Sequence, residues 1–359
     1  MSRKTKVAVV HNLTGGGAIR VLEETNKILS KYYQVEIFTP ERYQMSDSSG
    51  LSKITNYLKY IYMTLPKNYR RISYDINSSK FKAVIIHHDS YLKSPTSLFD
   101  LDSKSIYILH EPPREFYEPS KYHAPLLKDK LVNFLRLPIL FIDKKAVKKA
   151  THVIVNSRFS KYEVDNIYGI NSKFIYPGVS PRFHPTKNID KINQCISVGS
   201  LLPYKGHEIT ISAIGRLKTK PKLVIIGEGR ESEKNKIYSY AIRQNVEVEL
   251  YNDLSDEDLN IMYNRSKVFV NAAFREPFGL CSLEAIISGD RLVTVNECGT
   301  EELKEFFPDR VTVTNRNAED IAKGIKFSLD KFSEQNITIP ERLTWGHYVK
   351  EITKLIEND

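Results

Sequence analysis

The sequence predicts an α/β protein made of two doubly wound, Rossmann-like domains. Three observations carry this expectation. Short apolar runs alternate with amphipathic stretches, a proline-rich segment interrupts the alternation near mid-chain, and the same grammar then restarts. A chain of 359 residues is also too long for a single core.

Taken in order, KVAVVHN (6–12) is a strand, and AIRVLEETNKILSKYY (18–33) is a helix with Ile19, Leu22, Ile28 and Leu29 on one face. QVEIFTP (34–40), KAVIIHHD (82–89), SIYILHE (105–111) and THVIVNS (151–157) follow as strands. Pro177, Pro181 and Pro185 then break the pattern and set a boundary at about residue 182, giving domains of 1–181 and 182–342. Beyond it, QCISVGS (194–200), PKLVIIGEG (221–229), VEVELYN (246–252), KVFVNAA (267–273) and DRLVTVNE (290–297) are strands separated by helices. The tail RLTWGHYVKEITKLIEND has helical spacing, and its helix, about 343–359, is expected to pack back near the first domain. In such parallel sheets ligands bind at the carboxyl edge, where the strand-to-helix loops gather.

Composition narrows the function. Hydrophobic residues make up 41% and charged residues 27%, as in ordinary globular proteins. The net charge of +10 is uneven: residues 1–180 hold 28 Lys and Arg against 16 Asp and Glu, whereas 181–359 hold 25 against 27. One domain is therefore expected to face something anionic. No finger, recognition helix or RNA-binding aromatic motif accompanies the charge, so nucleic acid is not an expected partner. Cys195, Cys281 and Cys298 are too few for a disulfide framework and point to a reduced, cytoplasmic setting. MSRKTKVAVVHN is basic and then apolar, but its VAVV run is too short for a signal peptide. The longest apolar tract, LVNFLRLPILFI (131–142), is broken by Asn133, Arg136 and Pro138 and falls short of the roughly 20 residues a bilayer span needs.

Three stretches carry chemistry. HNLTGGGAIR (11–20) places Gly15, Gly16 and Gly17 between a strand and a helix, where backbone amides meet a ligand or simply turn the chain. Its spacing is neither a dinucleotide fingerprint nor a P-loop. VGSLLPYKG (198–206) sets Lys205 at a helix start, either as a point charge for a phosphate or as a solvated surface lysine. REPFGLCSLEAI (275–286) puts a glutamate on each side of a turn: Arg275 and Glu276 precede it, and Phe278, Gly279 and Leu280 open a helix with free amides. Glu284 follows about one helical turn later as an acceptor-only carboxylate suited to a pair of hydroxyls.

REPFGLCSLEAIISG resembles the donor-site signature of the retaining glycosyltransferases of family 4, E-x-F-G-x-x-x-x-E. The glycine loop after the first strand, His110 in ILHEPPR, the segment NSRFSKYEVDNIYGINSKFIYPGVSPRFHP, IIGEG and ECGTEEL also fall where that family has counterparts. The resemblance implies the GT-B fold, two Rossmann-like domains facing a central cleft, with a nucleotide sugar mainly on the second domain and an acceptor on the first. It implies that Glu284 holds the ribose hydroxyls and Glu276 the donor sugar. Lys205, with amides around Gly279, meets the diphosphate, Gly15–Gly17 lie beneath the phosphates, and His110 approaches the sugar. One departure stands out: the family's arginine ahead of the lysine is Ser200 here, leaving either Arg275 or Arg114 to take its place or the diphosphate less tightly held.

The implied reaction moves a hexosyl unit from a UDP- or GDP-linked donor to an acceptor hydroxyl with retention of configuration, without metal or cofactor. Asp256, Glu257 and Asp258 resemble a metal-binding DxD but follow Ser255 as a capped helix start. His87 and His88 close a strand, where one either lines the cleft or, as the more ordinary reading, both are packed or exposed histidines. The segment LSKITNYLKYIYMTLPKNYRR has Leu51, Ile54, Tyr57, Leu58, Ile61 and Tyr62 on one face, flanked by Lys53, Lys59, Arg70 and Arg71. Two readings stand open: docking on an anionic membrane surface, which would suit a lipid-linked or surface glycan as acceptor, or an ordinary packed helix. A non-catalytic sugar-nucleotide-binding subunit and a same-fold sugar-nucleotide epimerase are the alternatives; a phosphorylase lacks any marked pyridoxal-phosphate lysine.

Overall fold

Near-continuous apolar runs bounded by turn residues build two parallel sheets, each buried on both faces by helices. The computed structural model describes residues 4–43, 51–123, 127–252, 254–333 and 337–358. These residues fall into two compact units, Met1–Pro177 with Trp345–Asp359, and Gly178–Thr344.

In the amino-terminal unit the strands are β1 (Lys6–Asn12), β2 (Gln34–Phe38), β3 (Ala83–Asp89), β4 (Ser105–Ile108), β5 (His152–Val155) and β6 (Lys173–Phe174). They run parallel in the order β2-β1-β3-β4-β5-β6. All seven residues of β3 are buried, as expected of a central parallel strand. The helix Trp345–Glu357 belongs to this unit and lies against the helix Gly17–Leu29. It buries Trp345, Tyr348, Val349, Ile352 and Ile356, and Tyr33 donates to Glu357 at 2.7 Å.

The carboxyl-terminal unit holds β7 (Gln194–Val198), β8 (Lys222–Ile226), β9 (Val248–Tyr251), β10 (Val268–Asn271), β11 (Arg291–Val295) and β12 (Val311–Thr314), ordered β12-β11-β10-β7-β8-β9. Two strands go beyond the sequence reading. β6 has only two residues, and β12 is a four-residue Val-Thr alternation without an apolar run.

The segment with two open readings folds as Leu51–Lys59, a π turn at Tyr60–Thr64, and Leu65–Asn77. Its apolar face packs on the core: Ile61, Leu65, Tyr69, Ile72 and Ile76 are buried, with Tyr57, Leu58 and Tyr62 against them. The tract 131–142 is divided between the helices Leu127–Leu135 and Pro138–Val147. Among the described residues no helix is long and apolar enough to cross a membrane. Ser255 caps the helix Asp256–Arg265, its Oγ accepting from the Asp258 amide at 3.1 Å.

Candidate active site

Strand order locates the ligand-binding edge of each sheet. In a doubly wound sheet the crevice opens where successive connections leave in opposite directions, at the carboxyl ends of the two central strands. In the second sheet that switch lies between the neighbours β7 and β10. The loops that leave these two strands are residues 199–206 and 272–279, the two stretches singled out from the sequence.

The two loops are fastened to each other. The Phe274 amide donates to the Tyr204 carbonyl at 2.7 Å. Gly206 has φ +77°, and a Cβ there would sit 2.2 Å from the Ala272 carbonyl oxygen, so only glycine permits this approach. Gly227 packs in the same way, a Cβ falling 1.8 Å from the Gly199 carbonyl oxygen. His207, buried at the start of the helix His207–Gly215, closes the loop from below. Its Nε2 lies 3.3 and 3.2 Å from the carbonyls of Gly199 and Ser200, and its Nδ1 lies 3.3 Å from Ser197 Oγ. Burial lowers its pKa to about 4, so the neutral ring donates from Nε2 and accepts at Nδ1.

Lys205 ends the short turn Pro203–Lys205, its stem lying over Gly199 and its Nζ 2.8 Å from Glu276 Oε2. Burial pulls the ammonium pKa down, but the Glu276 carboxylate, followed by Tyr204, outweighs it and the net shift is upward. The side chains keep 21% and 15% of their surface, so the pair is reachable rather than sealed. Arg275 holds a left-handed φ of +50° just before Glu276, and the Glu276 carbonyl accepts from the Gly299 amide at 2.7 Å.

The helix Leu280–Ile287 begins on Gly279 at φ +80°, where a Cβ would meet Thr300 Oγ1 at 2.5 Å. Asn271, the last residue of β10, donates from Nδ2 to Ser282 at 3.0 Å and Thr300 at 3.3 Å, fixing the helix start. Helix geometry leaves the amides of Gly279 and Leu280 without intrahelical acceptors, at the positive end of the dipole. Phe278 is buried, so its ring belongs to the core rather than to a ligand. Glu284 is buried too, with the Tyr263 hydroxyl donating to Oε2 at 3.3 Å. Ser200 Oγ is buried without a hydrogen-bond partner among the described residues.

In the amino-terminal unit the strand order changes direction between β1 and β3, and the glycine loop leaves β1 there. Gly16 needs its glycine for a φ of +75°; Gly15 does not, and the space a Cβ would fill at either is open. Gly17 is the first residue of its helix. His110 follows β4, buried, with Nε2 3.2 Å from Nδ1 of His87. Burial lowers the pKa of His110 to about 4 and puts His87 and His88 well below the ordinary value, so all three rings are neutral. Arg114 is buried and bonded through Nε to Glu118 at 2.8 Å, with Glu111 3.7 Å away, and is thus engaged within its own unit.

The carboxyl-terminal unit therefore gathers Lys205, Arg275, Glu276, Phe278, Gly279 and Leu280 on two joined loops, with Ser200 on the first and Glu284 beneath the second. His207, Asn271 and Thr300 were not foreseen. Each acts on backbone or on another polar side chain, and no spacing rule marks such residues; the one hint was the position of Asn271 at a strand end.

Comparison with known proteins bears on the family and the fold. Residues 179–351 match the family described as glycosyl transferases group 1. An uncharacterized glycosyltransferase of Methanocaldococcus jannaschii, MJ1607, is 25% identical over 231 residues, covering 56% of this chain and 59% of that protein. The chain thus spans little more than half of that relative. Anabaena HepE, solved with UDP and glucose, superposes with a TM-score of 0.74 at 15% identity over 98% of both chains. Sucrose-phosphate synthase from Thermosynechococcus elongatus gives 0.70 at 13% identity, again over 98% of both. The fold is GT-B, and residues 179–351 are similar to glycosyl transferases group 1.

Proposed function

We propose that this chain, whose residues 179–351 are similar to glycosyl transferases group 1, is a retaining hexosyltransferase that uses a nucleoside-diphosphate sugar. The observation that carries the proposal is the Lys205–Glu276 pair at 2.8 Å, set beside the helix start at Gly279 on the switch-point loops.

The barrier to glycosyl transfer is set by charge that appears on the departing diphosphate while the sugar becomes cationic. In this reading the Lys205 ammonium and the first amides of the helix Leu280–Ile287 meet that charge; the 2.8 Å contact of Lys205 with Glu276 supports it. Glu276, already fixed by Lys205, orients the donor sugar through its hydroxyls. Glu284 takes the ribose hydroxyls, exchanging the Tyr263 contact for them. The bond from the anomeric carbon to phosphate oxygen breaks with its electron pair going to the diphosphate. The acceptor oxygen bonds to the same carbon on the same face, and its proton passes to the departing oxygen. The carboxylates bind rather than act as the acid and nucleophile of a hydrolase. No divalent metal is assigned a part, so activity should survive a chelator.

In the amino-terminal unit, open space above Gly15 and Gly16 suits phosphate approach, and neutral His110 suits a hydrogen bond to a sugar hydroxyl. HepE, solved with UDP and glucose, makes UDP-glucose the first donor to try, with GDP-linked sugars next. The acceptor is a hydroxyl of a glycan, free or lipid-linked. Ser200 in the phosphate loop favours one second reading, a subunit that binds sugar nucleotides without turning them over. Incubation with a panel of nucleotide sugars separates the two: a transferase slowly hydrolyses its donor, whereas binding without any release of diphosphate supports the subunit.

A further inference from the structure

The helices Leu127–Leu135 and Pro138–Val147 follow each other almost without a break. Leu137 between them has helical angles of φ −51° and ψ −36°. The amides of Ile139 and Leu140 donate to the carbonyls of Arg136 and Leu137 at 2.9 and 3.1 Å. One side of the run is core, with Ile139, Asp143, Ala146 and Val147 buried; Asp143 accepts from Ser94 Oγ and Tyr168 Oη at 2.6 Å each. The other side carries Leu131, Phe134, Leu137 and Phe141, which are 55%, 66%, 39% and 71% exposed.

These four are spaced by three, three and four residues, so they form one stripe. The same spacing continued from Phe141 reaches Lys144, Lys145 and Lys148, all exposed, and Lys130 lies at the other end. Every fully exposed charge from residue 129 to 149 is positive, because Asp143 is buried and Asp129 and Arg136 are half-buried. Large apolar side chains held in water along one line mark an interaction surface. An aromatic and leucine row rimmed by lysines matches an element that lies at a lipid headgroup boundary, where anionic lipids add attraction for each cation.

We propose that this stripe docks on an anionic lipid bilayer, with Phe134 and Phe141 entering the headgroup boundary and Lys144, Lys145 and Lys148 meeting lipid phosphates. The surface is distinct from Leu51–Asn77, whose apolar face is spent on the core. It belongs to the other compact unit from Lys205, Glu276 and Glu284 and shares no residue with the proposed donor site, so lipid binding and donor turnover can be varied separately. A transferase held there would meet an acceptor carried by a lipid.

The test is flotation of the full chain with vesicles of phosphatidylcholine alone or mixed equally with phosphatidylglycerol. Wild type should float only with the anionic vesicles, and less at high salt. Phe134→Ser/Phe141→Ser and Lys144→Glu/Lys145→Glu/Lys148→Glu should each bind about tenfold or more weakly. Lys53→Glu/Lys59→Glu/Arg70→Glu/Arg71→Glu should lose less than about twofold. Circular dichroism and donor hydrolysis should be unchanged in the stripe variants, showing that they are folded. Failure of the wild type to float, or flotation that ignores both stripe variants, would overturn the proposal. So would self-association that the phenylalanine variant abolishes in the absence of vesicle binding.

Discussion

Lys205 Nζ and Glu276 Oε2 meet at 2.8 Å across two loops that leave neighbouring strands of the second sheet. Each side chain is placed by something other than its partner. Lys205 is set by the Gly206 turn and by His207 beneath it, and Glu276 by the Gly299 amide and the Gly279 helix start.

A preorganised pair of this kind acts as a unit. Lys205→Ala is expected to lower kcat by about 10²–10³-fold, the usual loss when one charge-stabilising donor is removed. Glu276→Gln should also lower it, and the double variant should fall well short of the product of the two. Steady-state kinetics on the three variants check this; full multiplicativity would mean that the residues work separately.

The glycines give a sharper contrast. Gly206→Ala forces a Cβ against the Ala272 carbonyl at a left-handed φ and should destabilise the protein by about 3 kcal/mol. Gly15→Ala meets neither strain nor contact, so its melting temperature should match wild type. If Gly15 is kept small for a ligand, that variant should nonetheless lose donor affinity. Thermal melts beside donor titrations distinguish the two positions.

Acid should loosen the loop 199–206 through His207. Its folded pKa of about 4 lies below the ordinary histidine value, so the unfolded chain binds the extra proton first. The stability it contributes is complete above about pH 6.5 and is lost as pH falls toward 4, on the order of 3 kcal/mol in all. His207→Gln keeps an amide donor for the Gly199 and Ser200 carbonyls but does not titrate. Denaturant melts from pH 4 to 7 should therefore show a shallower slope for the variant than for wild type.

The residue pattern revealed the architecture more readily than the details of the site. Continuous apolar strands such as AVIIHHD announce themselves by burial on both faces, whereas VTVT at β12 carries no such run. The PFGL turn and its glutamates were legible because left-handed glycine and helix-start amides have a fixed spacing. Glu284 was placed on its helix, but its depth under Tyr263 depends on how neighbouring elements pack, which no local rule contains. The apolar face of Leu51–Asn77 posed the opposite difficulty: amphipathic periodicity is the same whether a face meets core or lipid, and only the fold reveals which. For that reason the exposed row at Leu131, Phe134, Leu137 and Phe141 read only as a broken apolar tract until its buried side was known.

The most direct measurement is calorimetric titration of wild type and Lys205→Ala with UDP and with uridine, repeated with GDP and guanosine. If Lys205 and the Gly279 helix start grip a diphosphate, the variant should bind the cognate diphosphate about tenfold or more weakly and the bare nucleoside unchanged. Equal affinity of wild type and variant for both diphosphates, or an equal loss for diphosphate and nucleoside, would contradict it.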